Sequence, residues 1–117
     1  LTRRDLQAVA KSQRRPWDMS KAFDESAVIG EIVPGQSFSP DAAIRCRVDG
    51  QLRQNAKLGA MTWPVADVIA ALSNHVSLAA GDLIMTGTPA GVGPVAKGQT
   101  CCVEIDGLPE AKFRYAV

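Results

Sequence analysis

Apolar residues recur at helical spacing near the start of the chain. Leu6, Val9 and Ala10 fall on one face when they are placed on a helix. The pattern predicts a helix over residues 3–14. Pro16 ends it, because a proline disfavours helical geometry at the residue before it.

Local signals mark the helix ends. Thr2, followed three residues later by Asp5, resembles a capping box for the first helix. Pro64 stands near the first turn of a second predicted helix, which ends near His75. The apolar stripe of this second helix consists of Val65, Val68, Ile69 and Leu72.

Short apolar or alternating runs predict strands. Asp49-Gly50 forms the clearest turn signal, since Asp-Gly favours a tight hairpin between two such runs. Asp106-Gly107 marks another turn, and Pro34-Gly35 closes the first apolar run. The predicted strands cover residues 28–33, 44–48, 52–54, 83–86, 101–105 and 112–115.

The strands outnumber the helices and are joined by hairpins, without the strand-helix alternation of a parallel sheet. We therefore predict an α+β, mostly β fold with two helices, in a single domain over residues 1–117. Residues 16–27 are predicted to form an ordered loop anchored by Trp17 and Phe23.

Composition narrows the class of protein. Thirteen basic and twelve acidic residues leave a net charge of +1, which does not indicate binding to nucleic acid or to an anionic membrane. No apolar run reaches the ~20 residues of a membrane helix. Cys46, Cys101 and Cys102 lack zinc-site spacing, so we interpret them as reduced, packed thiols of a cytoplasmic protein.

The candidate chemistry lies in the Gly-rich loop, residues 86–93, which reads Thr-Gly-Thr-Pro-Ala-Gly-Val-Gly. Its glycines allow backbone N–H groups to approach a ligand, and its threonines add hydroxyl donors suited to a carboxylate. It is not a Walker loop, because no Gly-Lys-Ser/Thr follows it, and it is not a dinucleotide-binding fingerprint, because no helix pattern follows it. On local grounds alone, a tight connecting loop remains an equal interpretation.

Taken together, four blocks resemble the fumarylacetoacetate hydrolase family over essentially the whole chain. Within that family, Met61-Thr62-Trp63 and the helix after it are most similar to the bacterial acylpyruvate and fumarylpyruvate hydrolases. The four blocks are Thr2-x-Arg4-Asp5-x-Gln7, Arg15-Pro16-Trp17-x-x-x-Lys21-x-Phe23-Asp24, Val48-Asp49-Gly50-x-x-Arg53-Gln54, and Ala80-Gly81-Asp82-Leu83-Ile84-x-Thr86-Gly87-Thr88-Pro89-x-Gly91-Val92-Gly93-Pro94.

The resemblance implies a mixed β-roll, usually a homodimer, around Mg²⁺ or Mn²⁺. The implied ligands, a Glu-x-Glu pair and an Asp, belong upstream of Leu1, so we expect the chain to be the partial, C-terminal portion of a catalytic domain. No residue of the chain is assigned to the metal. Those considered and not matched are Asp24, Glu25, Asp82 and Glu104.

The resemblance also implies site residues. Lys21 matches an active-site lysine that stabilises developing negative charge, and Gln7 matches a residue that orients water or substrate. Arg4 matches either a contact to the anionic end of the substrate or a structural ion-pairing residue. Gly87 and Thr88 match the carboxylate-binding corner. His75, the only histidine, is not expected to be catalytic, because the family's His-Glu pair lies upstream.

The implied reaction is metal-dependent hydrolysis of a C–C bond in a small-molecule 2,4-dioxo acid of the acylpyruvate or fumarylpyruvate type. An isomerase or decarboxylase of oxo acids such as oxaloacetate remains open, because each would use a stabilised enolate. A non-catalytic structural fragment is the third hypothesis.

Overall fold

The computed structural model describes residues 1–34 and 39–116. Four antiparallel strands form one sheet in the order β2-β1-β3-β4. Two helices of nine residues, one shorter helix and a 3-10 turn accompany it, so the predicted α+β, mostly β class is confirmed. The elements are α1 (Arg4–Ser12), α2 (Asp18–Lys21), β1 (Ala43–Val48), β2 (Gln51–Lys57), the 3-10 turn (Leu58–Ala60), α3 (Val65–Ser73), β3 (Thr100–Ile105) and β4 (Ala111–Arg114).

The β1-β2 hairpin forms at the predicted turn. Asp49 and Gly50 both have positive φ, 49° and 79°, as a type I′ turn requires. This turn matches the right-handed twist of the strands it joins, which is why Asp-Gly is favoured there.

Two turn aspartates fasten the sheet at its opposite ends. Asp49 accepts hydrogen bonds from the Thr100 backbone N–H and from Nε2 of Gln99, each at 2.9 Å. Asp106 accepts from the Ala43 backbone N–H at 2.9 Å and from Arg45 at 2.7 Å. Each carboxylate thus ties a turn to the start of the neighbouring strand.

The sheet has one apolar and one polar face, because successive side chains of a strand point in opposite directions. Arg47 and Glu104 pair on the polar face at 3.7 Å. The vicinal cysteines divide between the faces: Cys101 is buried on the apolar one, while Cys102 lies on the polar one. The apolar face carries Ile44, Cys46, Val48, Cys101, Val103 and Ile105, as the strand register places them.

Helix α1 begins and ends differently from the prediction. Its N-cap is Arg3, without a side-chain cap, so the predicted Thr2 capping box is wrong. It spans Arg4–Ser12 instead of the predicted residues 3–14, because Arg14 adopts φ 54° and closes a Schellman motif. In that motif the Arg15 N–H donates to the Ala10 carbonyl and the Arg14 N–H to the Lys11 carbonyl.

Two predicted strands, 28–33 and 83–86, are wrong: neither segment is a strand. A strand requires a neighbouring backbone to complete its hydrogen bonds, and no such neighbour is found within the described residues. Their apolar side chains are correspondingly exposed, for example Ile32 at 68% and Met85 at 68%. Gly35, part of the turn predicted to close the first of these runs, lies outside the described residues.

The described structure leaves much apolar surface uncovered. Val48 and Cys101 are the only buried apolar residues within it, and the α1 stripe residues Leu6 and Val9 are exposed. The accessible surface is 8976 Å², whereas a folded monomer of this mass exposes about 6,100 Å². None of the helices in the described part is long and apolar enough to cross a bilayer.

Replacing Asp106 with Asn tests the turn anchors. The Ala43 N–H and then Arg45 hold the pKa of the Asp106 carboxyl below its ordinary value. The pKa of Asp106 is lower in the folded protein than in the unfolded chain, so the stabilisation by its ionised carboxylate is fully present above the pKa of the unfolded chain, about 3.9. This stabilisation is lost as the pH falls through the lower pKa of the folded protein. Asp106→Asn should therefore lower the melting temperature at pH 7, and the difference in melting temperature from the parent protein should begin to narrow as the pH falls below about 4.

The measurement is the melting temperature of each variant between pH 7 and pH 3, on the encoded protein, which is the protein as expressed from its whole gene. Asp41→Asn is the matched control, since Asp41 makes an exposed pair with Lys57 that contributes little. A gap for Asp106→Asn that stays constant down to pH 3 would contradict the anchoring role.

Candidate active site

The Gly-rich loop does not pair with a strand through its backbone; instead, a side chain of β2 holds it in place. Nε2 of Gln54 donates to Oγ1 of Thr88 at 2.8 Å and to the Pro89 carbonyl at 2.7 Å. One amide group therefore fixes both a side chain and the backbone of the loop. Gln54 lies in a block quoted for the family resemblance, but sequence reasoning gave it no role.

A bulge in β2 brings the loop close at a second point. Cys46 pairs with Gln54 while the next residue of β1, Arg47, pairs with Leu52, which leaves Arg53 as the extra residue. Gly91 packs against Arg53 so closely that a Cβ on Gly91 would overlap the Arg53 carbonyl oxygen. Gly91 also has φ 101°, so both space and conformation require glycine there.

A small pocket opens between the loop and the apolar face of the sheet. Its volume is about 100 Å³, below the ~300 Å³ at which most ligand pockets begin, so these residues form part of a wall. None of the described residues that line it carries a carboxylate. The lining consists of Ile44, Arg45, Cys46, Gln54, Gly87, Thr88, Pro89 and Val103.

The pocket offers donors to an anion. Gly87 has φ 102°, a conformation that other residues rarely adopt, and the space beside its Cα is open. The Thr88 side chain stands next to it and is exposed. Burial raises the pKa of the Cys46 thiol, so this part of the wall stays neutral at physiological pH.

Helices α1 and α2 bring three other predicted site residues together. The Arg3 N–H donates to the Ser20 carbonyl at 3.0 Å and joins the two helices. Nζ of Lys21 donates to Oγ1 of Thr2 at 2.8 Å, which is the contact Thr2 makes in place of the predicted cap. On α1, a guanidinium N–H of Arg4 donates to Oε1 of the buried Gln7.

The surroundings of Lys21 differ from the prediction. Lys21 is exposed, and Trp17, predicted to anchor residues 16–27, is 46% exposed. Phe23 is half-buried, with the Arg3 guanidinium 4.4 Å from its ring centroid. Only one of the two predicted aromatic anchors therefore holds this segment within the described structure, which also contains the unpredicted helix α2.

The two groups of site residues are not directly bonded. In residues 1–34 and 39–116, no hydrogen bond or ion pair joins α1 or α2 to the Gly-rich loop. The first segment meets the sheet elsewhere, where Gly30 packs against Ala111 of β4. His75 is exposed in the turn after α3, outside both groups.

The implied divalent cation does not fit the ligands present. One cluster of three potential ligands, Cys102, Glu104 and Glu110, occurs in the described part of the chain, on or beside the polar face. The Cys102 thiol donates to Glu110 at 3.1 Å, and this bond raises its pKa and keeps it protonated. Mg²⁺ and Mn²⁺ prefer oxygen ligands, so this thiol-containing cluster is not a suitable site for either ion.

Comparison with known proteins decides the family. The family model described as "Fumarylacetoacetate (FAA) hydrolase C-terminal" matches residues 1–115. The chain belongs to the fumarylacetoacetate hydrolase family. The resemblance seen in the four sequence blocks is thereby confirmed.

Relatives within the fumarylacetoacetate hydrolase family differ in activity. A fumarylpyruvate hydrolase of Ralstonia sp. is 43% identical over 111 residues, covering 94% of this chain and 58% of that protein. A mitochondrial oxaloacetate decarboxylase of Dictyostelium discoideum is 38% identical over 110 residues, covering 92% and 50%. The chain thus spans about half the length of the curated relatives it matches.

A solved structure confirms the fold. The fumarylpyruvate hydrolase of Pseudomonas aeruginosa, in complex with Mn²⁺ and pyruvate, superposes with a TM-score of 0.94 at 42% identity. The match covers 99% of this chain and 51% of that one. The sheet, helices and Gly-rich loop described here are therefore the C-terminal fold of this family.

Replacing Gly91 with Ala tests the close approach of the loop to β2. The new Cβ would lie 3.0 Å from the Arg53 carbonyl carbon as well as overlapping its oxygen. Positive φ alone costs a non-glycine residue about 1–2 kcal/mol, so Gly91→Ala should destabilise the encoded protein by more than that.

Gly93→Ala is the matched control, because nothing lies within 4 Å of its added Cβ and its φ is not positive. Denaturant unfolding of both variants gives the comparison. Equal stability of the two would show that the loop does not pack on β2 as described.

Proposed function

We propose that the encoded protein hydrolyses a C–C bond in a 2,4-dioxo acid of the fumarylpyruvate or acylpyruvate type. The observation that carries the proposal is the Gln54-held Thr88 beside Gly87, facing a pocket wall without carboxylates. A wall of this kind suits the carboxylate of an oxo acid. Similarity to the fumarylpyruvate hydrolases of Ralstonia and Pseudomonas supports the choice of substrate.

The reaction cleaves the substrate between its two carbonyl groups. Water adds to the distal carbonyl carbon, and the bond from that carbon to the methylene breaks. The electron pair leaves on the methylene as the enolate of pyruvate, which takes up a proton, while the distal part leaves as a carboxylic acid. Negative charge therefore develops on the distal carbonyl oxygen and on the enolate oxygen.

Residues of this chain are proposed to meet those charges. Gly87 and Thr88 bind the carboxylate, and the Lys21 ammonium stabilises developing negative charge. Gln7 orients water or substrate. Arg4 contacts the anionic end of the substrate only if it leaves its bond to Gln7; otherwise that bond supports a structural role for Arg4.

The divalent cation, Mg²⁺ or Mn²⁺, is proposed to bind outside this chain, in the portion of the relatives' length that the chain does not span. The named Mn²⁺ complex of the Pseudomonas relative supports this proposal. When bound, such an ion polarises carbonyl oxygens. The clustered Cys102, Glu104 and Glu110 do not suit it.

The chain is proposed to be one part of a larger catalytic domain in a cytoplasmic homodimer. The uncovered surface supports this, since the excess over a folded monomer of this mass is about 2,900 Å². Obligate interfaces commonly bury about 2,000–5,000 Å². The three free cysteines, Cys46, Cys101 and Cys102, agree with a reducing compartment.

A second candidate is decarboxylation or isomerisation of oxaloacetate. Similarity to the Dictyostelium decarboxylase favours it. The same carboxylate wall serves either reaction, because both pass through an enolate beside a carboxylate. The substrate assay below separates the two.

The proposed function is tested by following the loss of enol absorbance from fumarylpyruvate, acetylpyruvate and oxaloacetate, with the encoded protein and Mg²⁺ or Mn²⁺. Lys21→Met removes the charge while keeping the length, and should lower kcat/KM about 10²–10³-fold. Lys97→Met, at an exposed turn before β3, is the control and should change it little.

Turnover of oxaloacetate alone would contradict the proposed hydrolysis and support the second candidate. No turnover of any of the three would favour the structural hypothesis. Activity of Lys21→Met within a few fold of the parent would remove Lys21 from the proposed machinery.

A further inference from the structure

We infer that Gln54 is a positioning residue that sets the Thr88 hydroxyl as a hydrogen-bond donor toward the substrate carboxylate. The inference rests on the proposed function, because it needs a carboxylate at the loop. It assigns a determinant of substrate binding to a strand residue that lies 34 positions before Thr88.

The orientation of the Gln54 amide is fixed by its second partner. A side-chain amide presents either its oxygen or its nitrogen, and the two ends must be assigned from their bonds. The Pro89 carbonyl can only accept, and it lies 2.7 Å from the same end of the amide that meets Thr88. That end must therefore be the NH₂ group.

This orientation decides which way the Thr88 hydroxyl donates. Its oxygen accepts from Nε2 of Gln54 at 2.8 Å, so its own proton cannot be shared along that line. Thr88 is exposed beside the pocket, where its proton is free to meet an incoming acceptor. A pre-oriented donor favours a carboxylate and needs no rearrangement on binding.

The bulge keeps Gln54 on the side of the pocket. Gln54 pairs with Cys46, and both residues line the pocket. Without the extra Arg53, Leu52 would lie on the same face as Gln54, because residues two apart share a face. Because Arg53 is inserted, Leu52 pairs instead with Arg47 of the polar face, so Leu52 and Gln54 lie on opposite faces of the sheet next to the loop.

Gln54→Glu is the sharpest test because it preserves size but removes the donors. An ionised carboxylate accepts only, so the Thr88 hydroxyl would turn toward Glu and away from the ligand. We expect pyruvate, measured by calorimetry on the encoded protein with Mn²⁺, to bind at least about 10-fold more weakly. Binding should partly recover at low pH, where a protonated Glu donates again.

A double-mutant cycle with Thr88→Val separates positioning from general destabilisation. The cycle uses Gln54→Met, which removes the amide without adding a charge to the pocket wall. If Gln54 acts through the Thr88 hydroxyl, the Gln54→Met and Thr88→Val double variant should bind pyruvate within about 2-fold of Thr88→Val alone. Fully additive losses, or a Gln54→Glu affinity within about 2-fold of the parent, would overturn the inference. If Gln54→Glu does not fold, the Gln54→Met cycle alone decides, with the same criteria.

The result also distinguishes this inference from the proposed function. A parent protein that neither binds pyruvate nor turns over an oxo acid contradicts the proposed function itself. A parent that binds pyruvate, with a Gln54 variant that binds it equally well, contradicts only the role of Gln54.

Discussion

Residues 82–96 form neither helix nor strand, so contacts with β2 set the position of the Gly-rich loop over the sheet. Gln54 fixes it through two hydrogen bonds, and Gly91 fixes it by close packing on Arg53. β2 is in turn held by β1, and the turn carboxylates of Asp49 and Asp106 tie β1 to β3. The geometry of the pocket wall therefore depends on a chain of contacts that ends at two exposed turns.

Much of the fold follows from local chemistry. Asp49-Gly50 specifies its hairpin because both residues tolerate positive φ, and the 3.6-residue periodicity located α1 and α3. The strands at 28–33 and 83–86 were wrong because an apolar run reports a tendency to be buried, whereas a strand also needs a partner backbone. Their exposed side chains show that this chain supplies no such partner in its described part.

The candidate site was only partly predictable. Lys21, Gln7, Arg4, Gly87 and Thr88 were named from motif positions, and their roles remain proposals. The hydrogen bond from Gln54 to Thr88 spans 34 positions and depends on a bulge at Arg53, which no periodicity signals. Likewise, the bond from Lys21 to the Thr2 hydroxyl joins residues 19 positions apart on an exposed surface, and no sequence pattern signals it.

The central claim is that the loop held by β2 is the wall that receives the carboxylate of an oxo acid. A crystal structure of the encoded protein with Mn²⁺ and pyruvate tests it most directly. The account predicts a carboxylate oxygen of pyruvate within about 3.2 Å of Oγ1 of Thr88, with the Gln54 bond intact. Pyruvate bound with its carboxylate on other residues, and Thr88 beyond hydrogen-bond reach, would contradict it.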